Sequence, residues 1–506
     1  MTTVCGSQSP PRTDETTKRD DELVSTKMDA ANCVFVERPM TVSNEFKIRG
    51  SRCLVMGLGA FGGGIGATQW LAQQGAKEIL VTDLSGAEKL QESIAQITPL
   101  IDSGVVRLRL GAHELADFEH AQLVVANPAV PKPWTNPFLK AAREAGAHVT
   151  TELRLALQHI PAQRVIAVTG SSGKSTTSAF IHHALDGFRG KRAHFAGNIG
   201  GSLLNNCPVI GPDEWLVLEL SSFMLWWLGP DSGNPHWHAR IGVLTNLCDN
   251  HLDWHGDAAH YSASKSVIRN HAAADQIFLS RFDIESPTQA CEWGKLPAGS
   301  WWNNPPLDTR VEQCMPLFEN SKLIGEHNKR NALLALHACM SALRIDNPEL
   351  DVCESARTLS AKMNLFTGLP HRLSLAQDCN GVRWINDSKA TTPAATLFAV
   401  ESFPNTSQIH LIAGGVSKGA DLSPIVALTP RLAGLYCIGT AGNQLASAGG
   451  IHCETLENAV KIIRSRIRPG DVVLLSPGCA SWDQFQNYEA RGARFAELAT
   501  ELDLVR

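Results

Sequence analysis

The chain has 506 residues, of which 43% are hydrophobic, and its formal net charge is −5. This length predicts three domains of about 100–200 residues each, and the apolar content is sufficient for packed cores. The slightly negative net charge argues against a nucleic-acid-binding protein, because such proteins carry a positively charged surface. The 13 cysteines are scattered singly and never spaced C-x-x-C. They favour reduced thiols in a cytoplasm over a disulfide framework or a zinc site.

No segment predicts a secretory leader or a membrane span. The uncharged stretch Cys53–Ala76 contains many glycines and three glutamines, which argue against a lipid-embedded helix. The N-terminus lacks an apolar h-region, so we expect a soluble, cytoplasmic protein. Residues 1–44 are rich in Ser, Thr, Asp, Lys and Arg, and we expect them to form a disordered or only partly ordered extension.

The first predicted domain spans residues 45–160. A strand, Arg52–Met56, runs into a G-x-G-x-x-G turn from Gly57 to Gly62, and a second strand ends in Asp83. This pattern predicts a Rossmann-like unit that binds a phosphate or a nucleotide, without indicating which one. Asp83 is equally compatible with a plain acid at a strand end.

The second predicted domain spans residues 161–366 and begins with an apolar strand that runs into Gly170-Ser-Ser-Gly-Lys-Ser-Thr176. Glycines allow backbone N–H groups to close around phosphate oxygens, Lys174 would reach the β- and γ-phosphates, and Ser175 would bind Mg²⁺. The loop is shorter than the usual motif, because Val168 occupies the position of its first glycine. An ordinary Gly/Ser-rich turn is the alternative, but Lys-Ser-Thr behind a buried strand favours nucleotide binding.

Two further strands of this domain carry candidate ligands. Glu219 lies in an apolar strand, where a buried carboxylate requires a cation. His251 follows the next strand among acidic residues, which favours a ligand or a base over a surface histidine. Lys265 by itself is typical of a solvated helix lysine. Two amides lie three residues apart on one helix face and are either caps or contacts to a base edge; they are Asn328 and Asn331.

The third predicted domain spans residues 367–506. Its apolar strands alternate with helical patterns, which predicts a second doubly wound sheet. Cationic, hydroxyl and acidic side chains converge at its strand ends, an arrangement that suits carboxylates and phosphate. These residues are Asp387, Lys389, Thr391, Lys418 and Ser481.

From about Arg49 to the C-terminus, the order of the motifs resembles the Mur ligase family. The matching blocks are T-G-S-S-G-K-S-T at 169–176, G-N-I-G at 197–200, E-L-S-S-F at 219–223, H-L-D at 251–253, H-N-x-x-N at 327–331, G-L-P-H-R at 368–372, N-D-S-K-A-T at 386–391 and S-P-G-C-A-S-W-D-Q-F at 476–485. The phosphate loop and H-N-x-x-N are shared with folylpolyglutamate synthases. The E-L-S-S-F, G-L-P-H-R, N-D-S-K-A-T and S-x-D-Q-F blocks indicate a glutamate-adding member.

The resemblance implies an α/β protein with three domains: an N-terminal Rossmann-like domain for a UDP-linked substrate, a central P-loop-type ATPase domain, and a C-terminal Rossmann-like domain for glutamate. It implies a cytoplasmic, monomeric, ATP-dependent ligase of peptidoglycan synthesis. This ligase would add D-glutamate to UDP-N-acetylmuramoyl-L-alanine through an acyl phosphate, with ATP and two Mg²⁺ ions. Because three domains hold the ligands, we expect domain closure.

The resemblance also implies residue roles. Catalysis would involve Lys174, Glu219, His251, Lys265 and Lys389. ATP would contact Gly170, Ser171, Ser172, Gly173, Lys174, Ser175, Thr176, Asn328, Asn331, Arg372 and Asp387. The UDP-linked substrate would contact Gly59, Ala60, Phe61, Gly62, Asp83 and Asn198, and glutamate would contact Thr391, Lys418, Ser481, Trp482 and Tyr488. The metal ligands would be Ser175, Glu219, His251 and, if CO₂ carbamylates it to an anion, Lys265.

Some features leave alternatives open. Trp482 and Tyr488 differ from the family's usual residues, so an L-glutamate-adding muramyl ligase and a folylpolyglutamate synthase-like enzyme remain alternatives. A non-catalytic nucleotide-binding regulatory protein is an alternative of another class. A nicotinamide oxidoreductase, suggested by G-x-G-x-x-G alone, is the weakest candidate because a second phosphate loop is present. The segment Trp226–Trp237 has no assigned role.

Overall fold

The strands form three sheets that follow one another along the chain. The structure is a computed structural model that describes residues 46–59, 62–199, 201–206, 211–247, 251–269, 275–280, 309–312, 326–417, 419–447 and 449–501. The strands are β1 (Arg52–Met56), β2 (Glu78–Asp83), β3 (Val106–Leu110), β4 (Leu123–Ala126), β5 (His148–Thr150), β6 (Val165–Thr169), β7 (Ala193–Gly197), β8 (Trp215–Glu219), β9 (Ile241–Leu244), β10 (Ile277–Ser280), β11 (Ser374–Cys379), β12 (Val382–Asn386), β13 (Ile409–Gly414), β14 (Gly434–Ile438), β15 (Ile451–Glu454) and β16 (Val472–Leu475).

The helices connect these strands and cover the sheets. They are α1 (Gly63–Gln73), α2 (Gln91–Ala95), α3 (Thr98–Asp102), α4 (Leu115–His120), α5 (Pro137–Glu144), α6 (Glu152–Leu157), α7 (Lys174–Leu185), α8 (Leu203–Asn206), α9 (Ser222–Leu228), α10 (Leu252–His255), α11 (Ala258–Ser266), α12 (Thr309–Glu312), α13 (Glu326–Asp346), α14 (Val352–Asn364), α15 (Pro393–Glu401), α16 (Ser423–Val426), α17 (Gly442–Ala446), α18 (Leu456–Arg464) and α19 (Tyr488–Thr500). Short 3-10 turns lie at Ala87–Leu90, Ala162–Arg164, Phe188–Gly190, Pro230–Ser232, Thr406–Gln408 and Thr429–Arg431.

The first sheet has the strand order β3-β2-β1-β4-β5, with every strand parallel to its neighbours. β1 and β4 are buried apolar strands, and Val55 lies beside Val81 on one side and Val125 on the other. The connections leave β1 in opposite directions, so a crevice opens at the carboxyl ends of β1 and β4. This is the Rossmann-like sheet that the sequence predicts.

The middle sheet has the order β10-β9-β6-β8-β7 and is also parallel. β6 is fully buried and lies in the centre, with Val168 between Glu219 of β8 and Val243 of β9. The loop that follows β6 therefore emerges between the ends of β8 and β9. Phe180, Leu336 and other apolar side chains of α7, α13 and α14 form the core beside this sheet.

The third sheet has the order β11-β12-β16-β13-β14-β15, and only its edge strand β11 runs antiparallel. A core lies on each face of the sheet, one around Leu411 and Leu474 and the other around Trp384 and Phe495. The predicted α/β fold class with three sheets is confirmed.

The tryptophan-rich segment that the sequence left without a role connects the first two sheets. Trp226 and Trp227 of α9 are buried in the apolar core of the first sheet, together with Leu54 and Val124. Arg154 of α6 donates hydrogen bonds to the backbone oxygen of Trp227 at 3.1 Å and to that of Pro235 at 2.7 Å. The segment therefore belongs to the packing between the first and middle sheets.

An aromatic cluster extends this contact. Trp134, from the segment after β4, lies 5.6 Å from Trp226, 5.4 Å from Trp254 and 4.1 Å from His260, measured between ring centroids. His260 in turn lies within 2.9 Å of His255, Nδ1 to Nδ1. The cluster thus joins the first sheet to α9, α10 and α11.

Some predictions fall outside these observations. The predicted extension, residues 1–44, lies outside the described residues, and the three domain boundaries stay predictions. None of the described helices has both the length and the apolar content to span a bilayer. The uncharged stretch Cys53–Ala76 folds instead as β1 and the 11-residue helix α1.

Candidate active site

A glycine-containing loop joins β6 to α7 at the centre of the middle sheet. Gly170 has a φ of 150°, and Gly173, the N-cap of α7, has a φ of 75°. Residues with a Cβ rarely adopt such positive φ values. A Cβ on Gly173 would also lie only 2.7 Å from Asn331 Oδ1. Glycine thus allows the loop to adopt these angles and to pass close to Asn331 at the N-terminus of α7, where N–H groups and the helix dipole favour phosphate.

The end of β9 braces this loop. Asn246 Oδ1 accepts a hydrogen bond from Ser172 N at 2.9 Å, and Asn246 Nδ2 donates to Ser172 O at 3.1 Å. The Thr245 hydroxyl donates to the same carbonyl at 2.6 Å. Ser171 N donates to Asn246 O at 3.0 Å, and the Ser171 hydroxyl lies 2.8 Å from that of Tyr261. The brace involves three residues that are not among the predicted site residues: Thr245, Asn246 and Tyr261.

Lys174 begins α7 and lies over its own loop. Its ammonium donates to Gly170 O at 2.9 Å and to Ser171 O at 3.1 Å. Desolvation lowers the pKa of Lys174 to about 8, Glu219 acts in the opposite direction, and two cations near the third sheet lower it further. Thr176 lies half-buried in the first turn of the same helix. The loop thus holds a poorly compensated cation, as a phosphate site requires.

Glu219 ends β8 and is 1% exposed. Its Oε1 accepts a hydrogen bond from Asn198 Nδ2 at 3.0 Å, whereas Oε2 is buried and has no hydrogen-bond partner. A buried acceptor without a partner costs about 1–3 kcal/mol, and more when it is charged. A bound cation would satisfy this oxygen, so the carboxylate fits a Mg²⁺ ligand.

Lys265 lies on the same side of the loop and is 2% exposed. Its ammonium donates to Thr169 Oγ1 at 3.3 Å and lies 5.0 Å from the centre of the Tyr261 ring. Desolvation, assisted by the charge of Lys174, lowers the pKa of Lys265 well below its ordinary value, although Glu219 opposes this shift. A solvated surface lysine is therefore excluded. The burial favours a neutral amine, which is the form that reacts with CO₂.

His251 lies just before α10 at the exposed mouth of the site, with a φ of 53°. Its ring meets that of Phe223 edge-on, at 4.9 Å between centroids. Desolvation lowers the pKa of His251, and the charges of Lys174 and Lys265 lower it further, while Asp253 raises it. The neutral imidazole that results is the form that binds metals.

Residues before and within the third sheet approach the same loop. Arg372 Nη2 donates to Ser175 Oγ at 2.9 Å. The Lys389 ammonium lies 5.0 Å from the centre of the Tyr488 ring, and desolvation and the charge of Arg372 lower the pKa of Lys389, against the effect of two glutamates. The structure thus brings Arg372 and Lys389 to the phosphate loop of the middle sheet.

Asp387 is buried behind these cations. Its carboxylate accepts hydrogen bonds from Ser476 Oγ at 2.8 Å and from Leu373 N at 3.2 Å. Burial raises the pKa of Asp387 to about 7, even though these bonds and Arg372 favour the charged form. The predicted contact of this residue with a ribose stays a prediction.

The predicted glutamate contacts lie at the carboxyl ends of the third sheet. Ser481 is 2% exposed and Trp482 beside it is 63% exposed, while Thr391 is half-buried after β12. A bridge between Val416 and Ala480 brings the segment before residue 418 next to Ser481. Lys418 itself lies outside the described residues.

The two predicted amides on α13 lie beside the phosphate loop. Asn331 Nδ2 donates to Asn328 Oδ1 at 3.4 Å, and both residues are buried. Asn331 also lies against Gly173, as the short distance to a Cβ there shows. Their predicted contact with ATP is untested.

The glycine-rich turn of the first sheet contacts Asp83 of β2 and Gly201, which follows β7 of the middle sheet. Gly59 N donates to Asp83 Oδ2 at 3.1 Å. Gly62 packs on Gly201, whose Cα would lie 3.3 Å from a Cβ on Gly62. Ala60 and Phe61 lie outside the described residues. The predicted contacts of Gly59, Gly62 and Asp83 with a substrate are untested.

A cavity of about 480 Å³ connects the ends of all three sheets. Its lining combines backbone and side chains from the first sheet, the middle sheet and the third sheet. Among these residues are Gly57, Gly63, Asn127, Asn198, Ser221, Phe223, Lys389, Tyr488 and Glu489. Of the predicted site residues, Asn198, Lys389 and Tyr488 therefore face one continuous space.

No group of three or more His, Cys, Asp or Glu side chains within the described ranges could hold a metal ion by itself. A cation held by Glu219 would need further oxygen ligands, which Ser175 and phosphate oxygens could provide. This donor set resembles sites where Mg²⁺ is bound together with a nucleotide rather than in an all-protein cage.

Comparison with known proteins identifies the family. The "Mur ligase middle domain" model matches residues 168–296, and the model described as "Mur ligase, glutamate ligase domain" matches residues 371–479. The UDP-N-acetylmuramoylalanine–D-glutamate ligase of Koribacter versatilis is 33% identical over 474 residues, which cover 90% of this chain and 98% of that protein. The chain belongs to the Mur ligase family. The Geobacillus kaustophilus ligase of the same name is also 33% identical, over 478 residues, 89% of this chain and 98% of that protein.

One similar solved structure is more distant in sequence. The MurF ligase from Thermotoga maritima in complex with ADP is 17% identical, with a TM-score of 0.48 over 90% of this chain and 96% of that one. The resemblance predicted from the motifs is thus confirmed by the Mur ligase family models and by the curated relatives.

Proposed function

We propose that this protein is an ATP-dependent ligase that adds D-glutamate to UDP-N-acetylmuramoyl-L-alanine in peptidoglycan synthesis. The relatives that share a third of its sequence over almost their whole length carry the name of this activity. The enzyme class, an amide-forming ligase that uses ATP, follows from the same family. A cytoplasmic, monomeric enzyme remains our expectation.

One observation carries the proposal: the cavity of about 480 Å³ is lined by residues of all three sheets, among them Lys389 and Asn198, the hydrogen-bond partner of Glu219. A long substrate bound in the first sheet would reach the loop from one side. An amino acid bound in the third sheet would reach it from the other side, past Lys389 and Tyr488. Such a meeting point is what a condensation of two substrates requires.

The arrangement of charges suits activation of a carboxylate by ATP. A substrate carboxylate oxygen would attack the γ-phosphorus, the bond to ADP would break, and an acyl phosphate would form. The amine nitrogen would then attack the acyl carbon, phosphate would leave, and the amine would lose a proton. Lys174, Arg372 and Lys389 lie where the phosphoryl charge would pass, so their contribution would be electrostatic.

Metal binding by these residues is part of the proposal. Glu219 and Ser175 would hold one Mg²⁺, which would neutralise phosphate charge. His251 and a carbamylated Lys265 would hold the second ion. The buried position and lowered pKa of Lys265 support carbamylation, because only the neutral amine adds to CO₂. Incorporation of ¹³C-labelled CO₂ at Lys265, detected by NMR, would test this assignment, and Lys265→Arg would be the control.

The choice of D-glutamate rests on the names of the relatives. The decisive assay incubates the protein with ATP, Mg²⁺, UDP-N-acetylmuramoyl-L-alanine and either D- or L-glutamate, and measures phosphate release. We expect release with D-glutamate that depends on both substrates and is lost in Lys174→Ala. Release only with L-glutamate would reassign the amino acid. No release with either isomer would overturn the proposed function.

A further inference from the structure

Glu152 links the first sheet to the substrate side of the middle sheet. It is the first residue of α6, which begins two residues after the carboxyl end of β5. Its Oε1 accepts hydrogen bonds from Ser202 Oγ at 2.8 Å and from Leu204 N at 2.7 Å. Ser202 and Leu204 belong to the middle sheet's segment around the start of α8. A single carboxylate on α6, which follows the last strand of the first sheet, therefore holds the start of α8, which follows β7 of the middle sheet.

The surrounding packing shows that this contact is close. Ser202 is 5% exposed and lies against α1, where a Cβ on Gly66 would collide with the serine side chain. Asn205 of α8 donates a hydrogen bond to Gln69 of α1. The helices that follow β1 and β5 thus both rest on α8, and Glu152 supplies the shared acceptor at the centre of the contact.

The pinned segment also adjoins the predicted metal ligand. Asn198, four residues before Ser202, donates its side-chain amide to Glu219 Oε1 at 3.0 Å and its backbone N–H to Glu219 O at 2.9 Å. Asn198 and Glu152 both line the cavity that connects the three sheets. A shift of this segment would therefore change the distance between the substrate side of the cavity and Glu219.

We propose that Glu152 is a positioning residue that fixes the first sheet against Ser202 and Leu204, so that the substrate carboxylate is delivered at the correct distance from the phosphate loop. The inference rests on the proposed function and deepens it. Glu152 touches no reacting atom in this role. Glu152 acts through Ser202 and Leu204. It should therefore affect how the UDP-linked substrate is used rather than how the nucleotide binds, because Asn246 braces the phosphate loop independently.

The test is Glu152→Gln, which keeps the size of the side chain but replaces one acceptor oxygen with a donor. We expect kcat/KM for UDP-N-acetylmuramoyl-L-alanine to fall about 10- to 100-fold, because small misplacements of a reacting group have effects of this order. The dissociation constant for ATP should change less than about twofold. Ser202→Ala should show a weaker effect of the same kind, and the double variant should lose less than the two single losses multiplied together.

The matched control is Glu144→Gln, at an exposed glutamate that pairs with Lys140 on α5. This variant should have wild-type kinetics. Unchanged kinetics in Glu152→Gln would overturn the inference, and so would an equal loss in all kinetic and binding constants together with a lower Tm, which would indicate a merely structural role. Wild-type protein without turnover would instead overturn the proposed function, and the inference with it.

Discussion

At the scale of single residues, the site gathers cations around Glu219. Lys174 and Lys389 have a lowered pKa, with desolvation as the main cause. Arg372 adds a further charge at Ser175. The positive charges of these side chains repel one another, and the negative charge of a bound polyphosphate would relieve that repulsion. The protonation of these lysines should therefore control nucleotide binding.

The first prediction concerns Lys174 and pH. Because its pKa is about 8, the side chain is a cation below pH 8 and loses its charge above it. The affinity for a fluorescent ATP analogue, measured by titration, should therefore weaken as the pH rises from about 7 to 9. Lys174→Met should bind weakly at every pH in this range. A variant that retained the wild-type pH dependence would show that another group is responsible.

The second prediction concerns Asp387, whose pKa is raised to about 7 in the folded protein. The ordinary value for an unfolded chain is about 3.9. The folded state therefore binds more protons between these two values, and it loses stability as the pH rises through that window. The Asp387→Asn variant has no carboxyl group at this position, so it does not lose stability in this pH window. Differential scanning calorimetry should show the Tm of the variant rising relative to wild type from about pH 5 to pH 8, whereas a constant difference would contradict the assignment.

At the scale of elements, the loop after β6 takes its shape from the end of β9. Asn246→Ala would remove two hydrogen bonds to the Ser172 backbone. Since each such bond contributes about 1 kcal/mol, we expect nucleotide affinity to fall roughly tenfold or more while the protein remains folded. Asn347→Ala, which removes a comparable bond to Glu349 N on the surface, should leave affinity unchanged. Equal affinities in both variants would show that the brace has no role.

The fourth prediction concerns α9. Trp227 is fully buried in the core beneath the first sheet. Trp227→Ala would leave a cavity there, and we expect the free energy of unfolding to fall by about 3–5 kcal/mol. Trp482→Ala, at a tryptophan that is 63% exposed, should change stability by less than about 0.5 kcal/mol. Chemical denaturation monitored by circular dichroism would measure both, and similar losses in the two variants would argue against the role of α9.

Whether a strand could be predicted from the sequence depended on how deeply it is buried in its sheet. Central strands such as β1, β6 and β9 are continuous apolar runs, which a parallel sheet buried on both faces requires. Edge strands such as β7 and β11 were missed, because one side faces away from the core and their residues are mixed. The antiparallel direction of β11 had a signal that the prediction overlooked: Asn380-Gly381, with positive φ at both residues, forms the two-residue turn that joins β11 to β12.

The site was predictable where motifs carry the chemistry. Lys174 and Glu219 are brought together because the ends of parallel strands meet at one edge of a sheet. Lys265 lies on α11 and was indicated only by the family resemblance, since its sequence context alone is typical of a solvated helix lysine. Glu152 was not predictable as a functional residue, since it acts through a contact between distant segments. The Trp226–Trp237 segment was likewise unassigned, because its partners lie in another sheet.

At the scale of the whole molecule, the three sheets meet around one cavity, and we expect their arrangement to respond to ligands. A nucleotide at the phosphate loop would draw Arg372 and Lys389 toward its phosphates and bring the third sheet closer. Small-angle X-ray scattering should show a smaller radius of gyration with ATP, Mg²⁺ and UDP-N-acetylmuramoyl-L-alanine than without them. An unchanged scattering curve would contradict domain closure.

The aromatic cluster between the first two sheets has a practical consequence for such measurements. The indole of Trp134 lies 4.1 Å from the imidazole of His260, on the other side of the junction. Indole emission responds to the groups packed around the ring, so any sliding of one sheet along the other alters the brightness of a native fluorophore. Subtracting the spectrum of Trp134→Phe would isolate that signal, and the molecule would then report its own rearrangement in stopped-flow traces without an attached dye.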